Sequence, residues 1–222
     1  MSLDIDVGDR PGAARERGVT AAAAAIRRGE LVVLPTESVY GLAADPFSAR
    51  GMAALREAKG RADAMPIGIL VGAMRTVDGL ASGVTAEGRA LIEAFWPGPL
   101  TLIVREQPTL AWDISGPDGA ISLRMPLHPV ALDVLAETGP LAVTSAQRAG
   151  APPPRTCEEA RSHLGDAVTL YLDAGPAPAQ APSSIVDLTV DPPVLLREGE
   201  YSLEVLREVC PDLAAPPESQ DG

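Results

Sequence analysis

Hydrophobic and polar positions recur along this chain with two periods, and those periods divide it into strands and helices. Leu31 to Leu34 is a short apolar, β-branched run ahead of Pro35, which predicts a buried strand that stops where proline has no N–H to give a ladder. Pro66 to Val71, Leu100 to Arg105, Ala120 to Met125, Leu141 to Thr144, Val168 to Leu172, Ser184 to Leu188 and Val194 to Leu196 read as further strands. Helical spacing marks Thr20 to Arg28, alanine-rich and closed by Gly29, and the stretch from Ser48, a capping residue, to Ala58. Met52 and Leu55 take the inner face of the latter, with Ala54 or Ala58 beside them. Thr85 to Phe95, Val130 to Glu137 between Pro129 and Gly139, a segment opened by Thr156 with Glu159 as a capping box, and Ser202 to Val209 read as the other helices.

The connections follow from glycine and proline. Trp96-Pro97-Gly98-Pro99 predicts a rigid corner, Arg148 to Arg155 a loop containing Gly150 and Pro152 to Pro154, and Gly175 to Pro182 a low-complexity loop. Residues 1–17 are charged and aperiodic, which predicts a loose arm, and residues 211–222 predict a disordered tail. Neither an internal repeat nor a linker divides residues 18–210, so the expectation is one mixed α/β domain. It has too many adjacent strands for a strictly alternating Rossmann pattern.

Composition narrows the partners. Among 222 residues no run approaches the roughly 20 apolar positions of a membrane span, and the acidic start lacks the basic-then-apolar pattern of a secretory signal. These features predict a cytoplasmic protein that no membrane holds. The net charge of −12 repels phosphate backbones, so strong direct nucleic-acid binding is not expected and an anionic ligand needs a local positive pocket. Of 18 basic residues 17 are arginine; Lys59 is the single lysine, a compact ammonium where guanidinium is otherwise used throughout. Two cysteines, Cys157 and Cys210, and two histidines, His128 and His163, are too scattered for a zinc site, a disulfide framework or a Ser-His-Asp triad.

Candidate chemistry collects at strand ends. After Leu34 come Thr36, Glu37, Ser38 and Tyr40, four side chains with oxygen, and then Gly41, where backbone can approach a ligand. Ligands of open α/β sheets sit beyond such ends, although an ordinary strand-to-helix loop has the same look. Ser145 with Gln147 and Ser183 with Ser184 are similar clusters, joined by the cations Lys59, Arg61, Arg124 and Arg197. Hydroxyls and cations together suit a polyphosphate and a carboxylate. Taken singly, Arg124 reads more often as a surface charge than as a ligand, and Arg61 could pair with Asp63 or Glu57 at the surface. The chain holds neither a G-x-x-x-x-G-K-[ST] loop nor a strand followed by G-x-G-x-x-G.

Taken in order, Pro35-Thr36-Glu37-Ser38-Val39-Tyr40-Gly41-Leu42, Lys59-Gly60-Arg61, Trp96-Pro97-Gly98-Pro99-Leu100-Thr101, Leu123-Arg124-Met125-Pro126, Ser145-Ala146-Gln147, Ser183-Ser184-Ile185-Val186-Asp187 and Arg197-Glu198-Gly199 resemble the YrdC family of threonylcarbamoyl-AMP synthases. The resemblance spans about residues 18–210 and implies the short form, without an extra C-terminal domain. It implies a twisted mixed sheet flanked by helices around an open cavity. The implied enzyme is a nucleotidyltransferase that joins L-threonine, bicarbonate or CO2, and ATP into threonylcarbamoyl-AMP, releasing pyrophosphate. A downstream threonylcarbamoyl transferase complex would then use that product to modify tRNA adenosine. By position, Thr36 and Ser145 would hold the amino acid with Arg124 on its carboxylate. Lys59, Arg61, Gln147, Ser183 and Arg197, with Met65 and Arg155, would handle ATP, and Lys59, Arg61, Ser145 and Gln147 would be the catalytic group. Magnesium would arrive with ATP, carried on the phosphates rather than in a protein metal site.

Three departures from the family pattern stand out. Gln147 replaces the usual asparagine of Ser-x-Asn, Arg148-Ala149-Gly150 replaces a Ser-Gly neighbourhood, and Met65 stands at a position that is polar in many members. They leave two alternatives: a diverged paralogue that adenylates another carbamoylated substrate, and a double-stranded RNA-binding module, which the negative charge opposes.

Overall fold

A computed structural model of the chain describes residues 2–8, 11–60, 67–112, 114, 119–178 and 181–215. Its strands are β1 Leu3–Asp6, β2 Val32–Leu34, β3 Gly41–Ala44, β4 Gly68–Leu70, β5 Ala81–Ser82, β6 Leu100–Glu106, β7 Ala120–Arg124, β8 Leu141–Ser145, β9 Leu170–Asp173, β10 Ser184–Asp187 and β11 Val194–Arg197. Its helices are α1 Ala13–Arg27, α2 Ala49–Lys59, α3 Val77–Leu80, α4 Ala86–Phe95, α5 Pro129–Thr138, α6 Cys157–Leu164 and α7 Leu203–Arg207. Most of the helices, α1 and α3 excepted, begin where a side chain satisfies a free N–H group. Ser48 accepts from Gly51 N–H, Thr85 from Gly88 N–H and Ser202 from Val205 N–H, and Thr156 with Glu159 closes the expected capping box. Gly60 ends α2 in the left-handed region at φ 70°, which glycine adopts without a Cβ clash.

All the strands join one mixed sheet in the order β1-β9-β2-β3-β8-β4-β7-β6-β10-β11, with β5 added on β6. Pairings are parallel at β1–β9, β2–β9, β4–β7 and β6–β10, and antiparallel elsewhere. One face packs along its whole width: Val33, Leu42, Ile69, Leu102, Leu123 and Val186 meet side chains of α2, α4, α6 and α7 in a continuous core. The other face is divided. Cross-strand neighbours share a face, and the register links Leu170, Val32, Ala43, Val143, Gly68 and Ser122 in one row. The first three are buried in a second core beneath α1 and α5. The last two line a cavity.

Two sequence expectations need correction here. Residues 1–17, expected as a loose arm, supply β1 and the start of α1, and Val7 is buried. Leu3 to Asp6 pair with Leu170 to Asp173, Arg161 ion-pairs with Asp4, and the Ser2 hydroxyl bonds Asp166. The partners are a sheet edge and charges more than 150 residues away, which local polarity cannot reveal. At the other end, the tail expected from residue 211 stays with the body through residue 215. Leu213 is fully buried and Leu195 N–H donates to Ala214 O at 3.0 Å. Residues 216–222 lie outside the described residues. No helix among the described residues is long and apolar enough to cross a membrane.

Candidate active site

The divided face opens into a cavity of about 540 Å³, lined among others by Thr101, Ser122, Arg124, Ser145, Ser183 and Arg197. An inner lobe of about 150 Å³ shares Arg124 and Ser145 and reaches Thr36 and Gly41. Alternation in β6 and β7 creates this surface. Leu102, Ile121 and Leu123 point into the core, so Thr101, Ser122 and Arg124 are left on the opposite face. Gly41 is the first residue of β3, and a Cβ there would lie 2.8 Å from Val143 Cγ1. Its constraint therefore includes packing against the neighbouring strand, beyond the approach to a ligand that its position suggested.

In the inner lobe the Thr36 hydroxyl donates to Val39 O at 2.6 Å and accepts from the Ser38 and Val39 N–H groups at 3.3 Å. It therefore closes the turn after β2 with its one donor and both lone pairs engaged there, so a contact with a ligand would exchange one of these bonds. Glu37 carries no assigned role in the sequence reading, yet the structure makes it central. One carboxylate oxygen accepts from Arg124 Nη2 at 2.6 Å and the other from Leu127 N–H at 3.2 Å. The signal available in the sequence was an acid inside an otherwise neutral hydroxyl cluster. Arg124 is thus no free surface charge. Burial lowers its pKa, Glu37 opposes that, and the nearby Arg197 charge adds to it; the guanidinium stays protonated. Its Nε–H is buried without a hydrogen-bond partner among the described residues.

Lys59 is the last residue of α2, and its side chain is 2% exposed. Nζ donates to Ser145 O at 2.5 Å, while Lys59 O accepts from Ala149 N–H at 3.0 Å, tying the end of α2 to the end of β8. Burial lowers its pKa from 10.5 to about 8, because an ammonium loses water there without gaining a carboxylate in its place. Gln147, two residues after Ser145, is also buried, and its Oε1 has no hydrogen-bond partner among the described residues. An orphaned acceptor and an orphaned donor therefore both belong to candidate site residues, where ligand groups could satisfy them.

On the outer side, Arg197 donates through Nε and Nη2 to Ser183 O at 3.0 and 2.8 Å and through Nη2 to Ser183 Oγ at 3.1 Å. Thr101 Oγ1 lies 3.0 Å from the same Ser183 Oγ. Ser184 is different: fully buried, it donates to Tyr201 O at 2.7 Å and accepts from Gly199 and Tyr201 N–H, holding a turn rather than facing the cavity. Gly199 is required by that turn, since a Cβ would fall 2.2 Å from Pro182 O. Tyr40 is also internal, its phenol donating to Gly175 O and accepting from Ala174 N–H. Arg155 is exposed and donates to Ala177 O at 3.0 Å; it is not itself a lining residue, although Pro153 two positions before it is. Arg61 and Met65 lie outside the described residues. Of the remaining candidates, Thr36, Arg124, Ser145, Ser183 and Arg197 line the cavity, and Lys59 and Gln147 sit directly behind Ser145. Ser122, which no motif contains, joins them through its register with Gly68.

One half of one face of the mixed sheet is thus uncovered, with cations and hydroxyls arrayed on it. Residues 24–199 match the model of the Sua5/YciO/YrdC family, described as telomere recombination, and the chain belongs to that family. Among particular relatives, it is 52% identical over 195 residues to a protein of Mycobacterium tuberculosis named "Putative threonylcarbamoyl-AMP synthase", covering 88% of this chain and 90% of the relative. It is 33% identical to the threonylcarbamoyl-AMP synthase of Pyrococcus abyssi over 98% of this chain and 63% of that one. The crystal structure of P. abyssi Sua5 complexed with L-threonine superposes with a TM-score of 0.89 at 32% identity, covering 97% of this chain and 63% of that chain. E. coli YciO shares the fold, with a TM-score of 0.81 at 23% identity.

Proposed function

We propose that this chain is an L-threonylcarbamoyladenylate synthase, a nucleotidyltransferase that makes threonylcarbamoyl-AMP and pyrophosphate from L-threonine, bicarbonate or CO2, and ATP. The observation that carries this reading is the meeting, at one cavity, of Arg124 with its unpartnered Nε–H, Ser145 over the buried Lys59, and the Arg197–Ser183 pair. The relatives named above support it, including one solved with L-threonine.

The chemistry suits this lining. A threonine carbamate is an anion, and its attacking oxygen forms a bond to the α-phosphorus of ATP while the bond to the bridging oxygen breaks and pyrophosphate leaves. Two anions must be brought together, so the protein's work is alignment and charge neutralisation rather than proton abstraction by a strong base. In this reading Arg124 takes the amino acid's carboxylate, and Thr36 and Ser145 hold its polar groups. Lys59 and Arg197, with Arg61, meet the phosphates, and Gln147 and Ser183 orient them. The Glu37 carboxylate is already committed to Arg124 and Leu127, so magnesium would enter on the triphosphate itself. The product is a mixed anhydride and hydrolyses readily, so a transferase acting on tRNA adenosine would have to take it promptly, in the cytoplasm.

The test is pyrophosphate release from ATP and bicarbonate with each amino acid in turn, the nucleotide product being identified by mass spectrometry. Release that requires L-threonine, with its carbamoyl adenylate as product, is the expected result. Release with another amino acid, or with none, would sink the proposal.

A further inference from the structure

We infer that Glu37 is the positioning residue for recognition of the amino acid's carboxylate, acting through Arg124; the inference rests on the synthase reading above. Glu37 follows Thr36 at the end of β2 and is 4% exposed. A carboxylate so buried persists only where donors replace its water. Glu37 has two, one for each oxygen: Arg124 Nη2 at 2.6 Å and Leu127 N–H at 3.2 Å. These donors come from the end of β7 and from the turn that follows it, so one side chain bridges the two sides of the inner lobe across 87 residues of sequence.

The bridge decides which edge of Arg124 is spent. A guanidinium offers five N–H donors in a rigid plane. Glu37 takes one at Nη2, and Nε–H remains buried without a partner among the described residues, on a side chain that lines both the inner lobe and the wider cavity. Buried donors are almost always satisfied, so this one is kept in reserve for an acceptor that the chain itself does not supply. A carboxylate fits that need, and the nearby positive charge of Arg197 favours an anion further. Glu37 would thus hold the guanidinium plane in place before the amino acid arrives. Glutamine could not do so: it has one acceptor oxygen, and its NH2 would face either Arg124 or the Leu127 N–H, a donor against a donor.

The experiment measures binding of L-threonine, of L-threoninol, which lacks the carboxylate, and of ATP. The proteins are the wild-type chain, Glu37→Gln, Glu37→Asp, Arg124→Ala and the double variant Glu37→Gln/Arg124→Ala, with a melting temperature for each. Glu37→Gln is expected to weaken L-threonine by about 10-fold or more, the scale of one charge-assisted hydrogen bond, while L-threoninol and ATP stay within about 2-fold of wild type. Glu37→Asp, which keeps two acceptor oxygens, should recover part of the loss, and it carries the test if the glutamine variant does not fold. In the Arg124→Ala background the second substitution should add less than about 2-fold, because both act through one contact. Unchanged L-threonine affinity in Glu37→Gln, equal losses for L-threonine and L-threoninol, or full additivity in the double variant would each overturn the role of Glu37 while leaving the synthase reading intact. A wild-type chain that does not bind L-threonine would overturn that reading and this role together.

Discussion

The two halves of the sheet use one face for opposite purposes. Under α1 and α5, residues of β9, β2 and β3 such as Leu172, Val32 and Ala43 are wholly buried, and β2 and β3 show no exposed position at all. Farther along the same face, β7 and β6 alternate, turning Ser122, Arg124 and Thr101 to the cavity while Leu123 and Leu102 stay in the core. The sealed half is stabilised by apolar burial, which has no direction. The open half relies on hydrogen bonds and charge, which must be aimed. Stability and chemistry can therefore be perturbed separately, although both depend on one hydrogen-bonded ladder.

The largest expected effects differ in kind between the halves. Leu172→Ala removes a fully buried side chain from the core beneath α1. It should lower unfolding free energy by about 3 kcal/mol in a urea titration, while turnover per folded molecule holds. Arg124→Ala should instead lower kcat/KM for L-threonine by about 100-fold per folded molecule, with a loss of stability as well, because the buried Glu37 carboxylate loses its charged partner. A large loss of activity in the first variant would show that the halves are not independent.

Lys59 sharpens the comparison through pH. Its pKa is lowered from 10.5 to about 8 by burial, so the ammonium is lost as pH rises through about 8. The expected kcat/KM for ATP therefore falls on the basic side near that value, because this ratio reports the free protein. The stability effect has the opposite sign. A base with a depressed folded-state pKa makes folding release a proton, so its contribution to stability rises between about pH 8 and 10.5. A basic limb in activity without a parallel fall in melting temperature assigns the limb to the site. Lys59→Arg, which stays charged, should move it.

Smaller effects belong to the edges of each half. Thr156→Ala removes the capping box of α6, whose Cys157, Ala160 and Leu164 pack into the larger core, and should reduce stability by about 1 kcal/mol in the same titration. Gln147→Asn shortens a buried amide whose Oε1 has no partner among the described residues. L-threonine-dependent turnover should stay within about 2-fold of wild type or rise, and its abolition would mean that the glutamine is adapted to this cavity.

The sequence made some of this legible and concealed the rest for definite reasons. Ser48, Thr85, Thr156 and Ser202 begin helices as expected, because capping is decided within four residues. β3 was hidden: Gly41-Leu42-Ala43-Ala44 has small side chains and no alternation, being buried on both faces by neighbours that local pattern does not contain. Ser183 and Ser184 look alike in the sequence, yet Ser183, just before β10, faces the cavity while Ser184, its first residue, holds the turn at Gly199, because successive side chains of an extended chain point to opposite sides. The partnership of Glu37 with Arg124 was equally invisible, since nothing in either segment names the other.

By itself, then, the sequence determined the types of most elements, most helix starts, the acidic character of the chain and the inventory of hydroxyls and cations at strand ends. These depend on a residue and its near neighbours, where propensity and periodicity act. Only the tertiary structure decided that β1 closes one sheet edge, that α1 and α5 cover half a face and leave the rest open, and that Glu37 spends one edge of Arg124 while Nε–H stays unpaired. Those outcomes depend on which strands become neighbours and in what register, and register is a property of pairs of segments far apart in the chain.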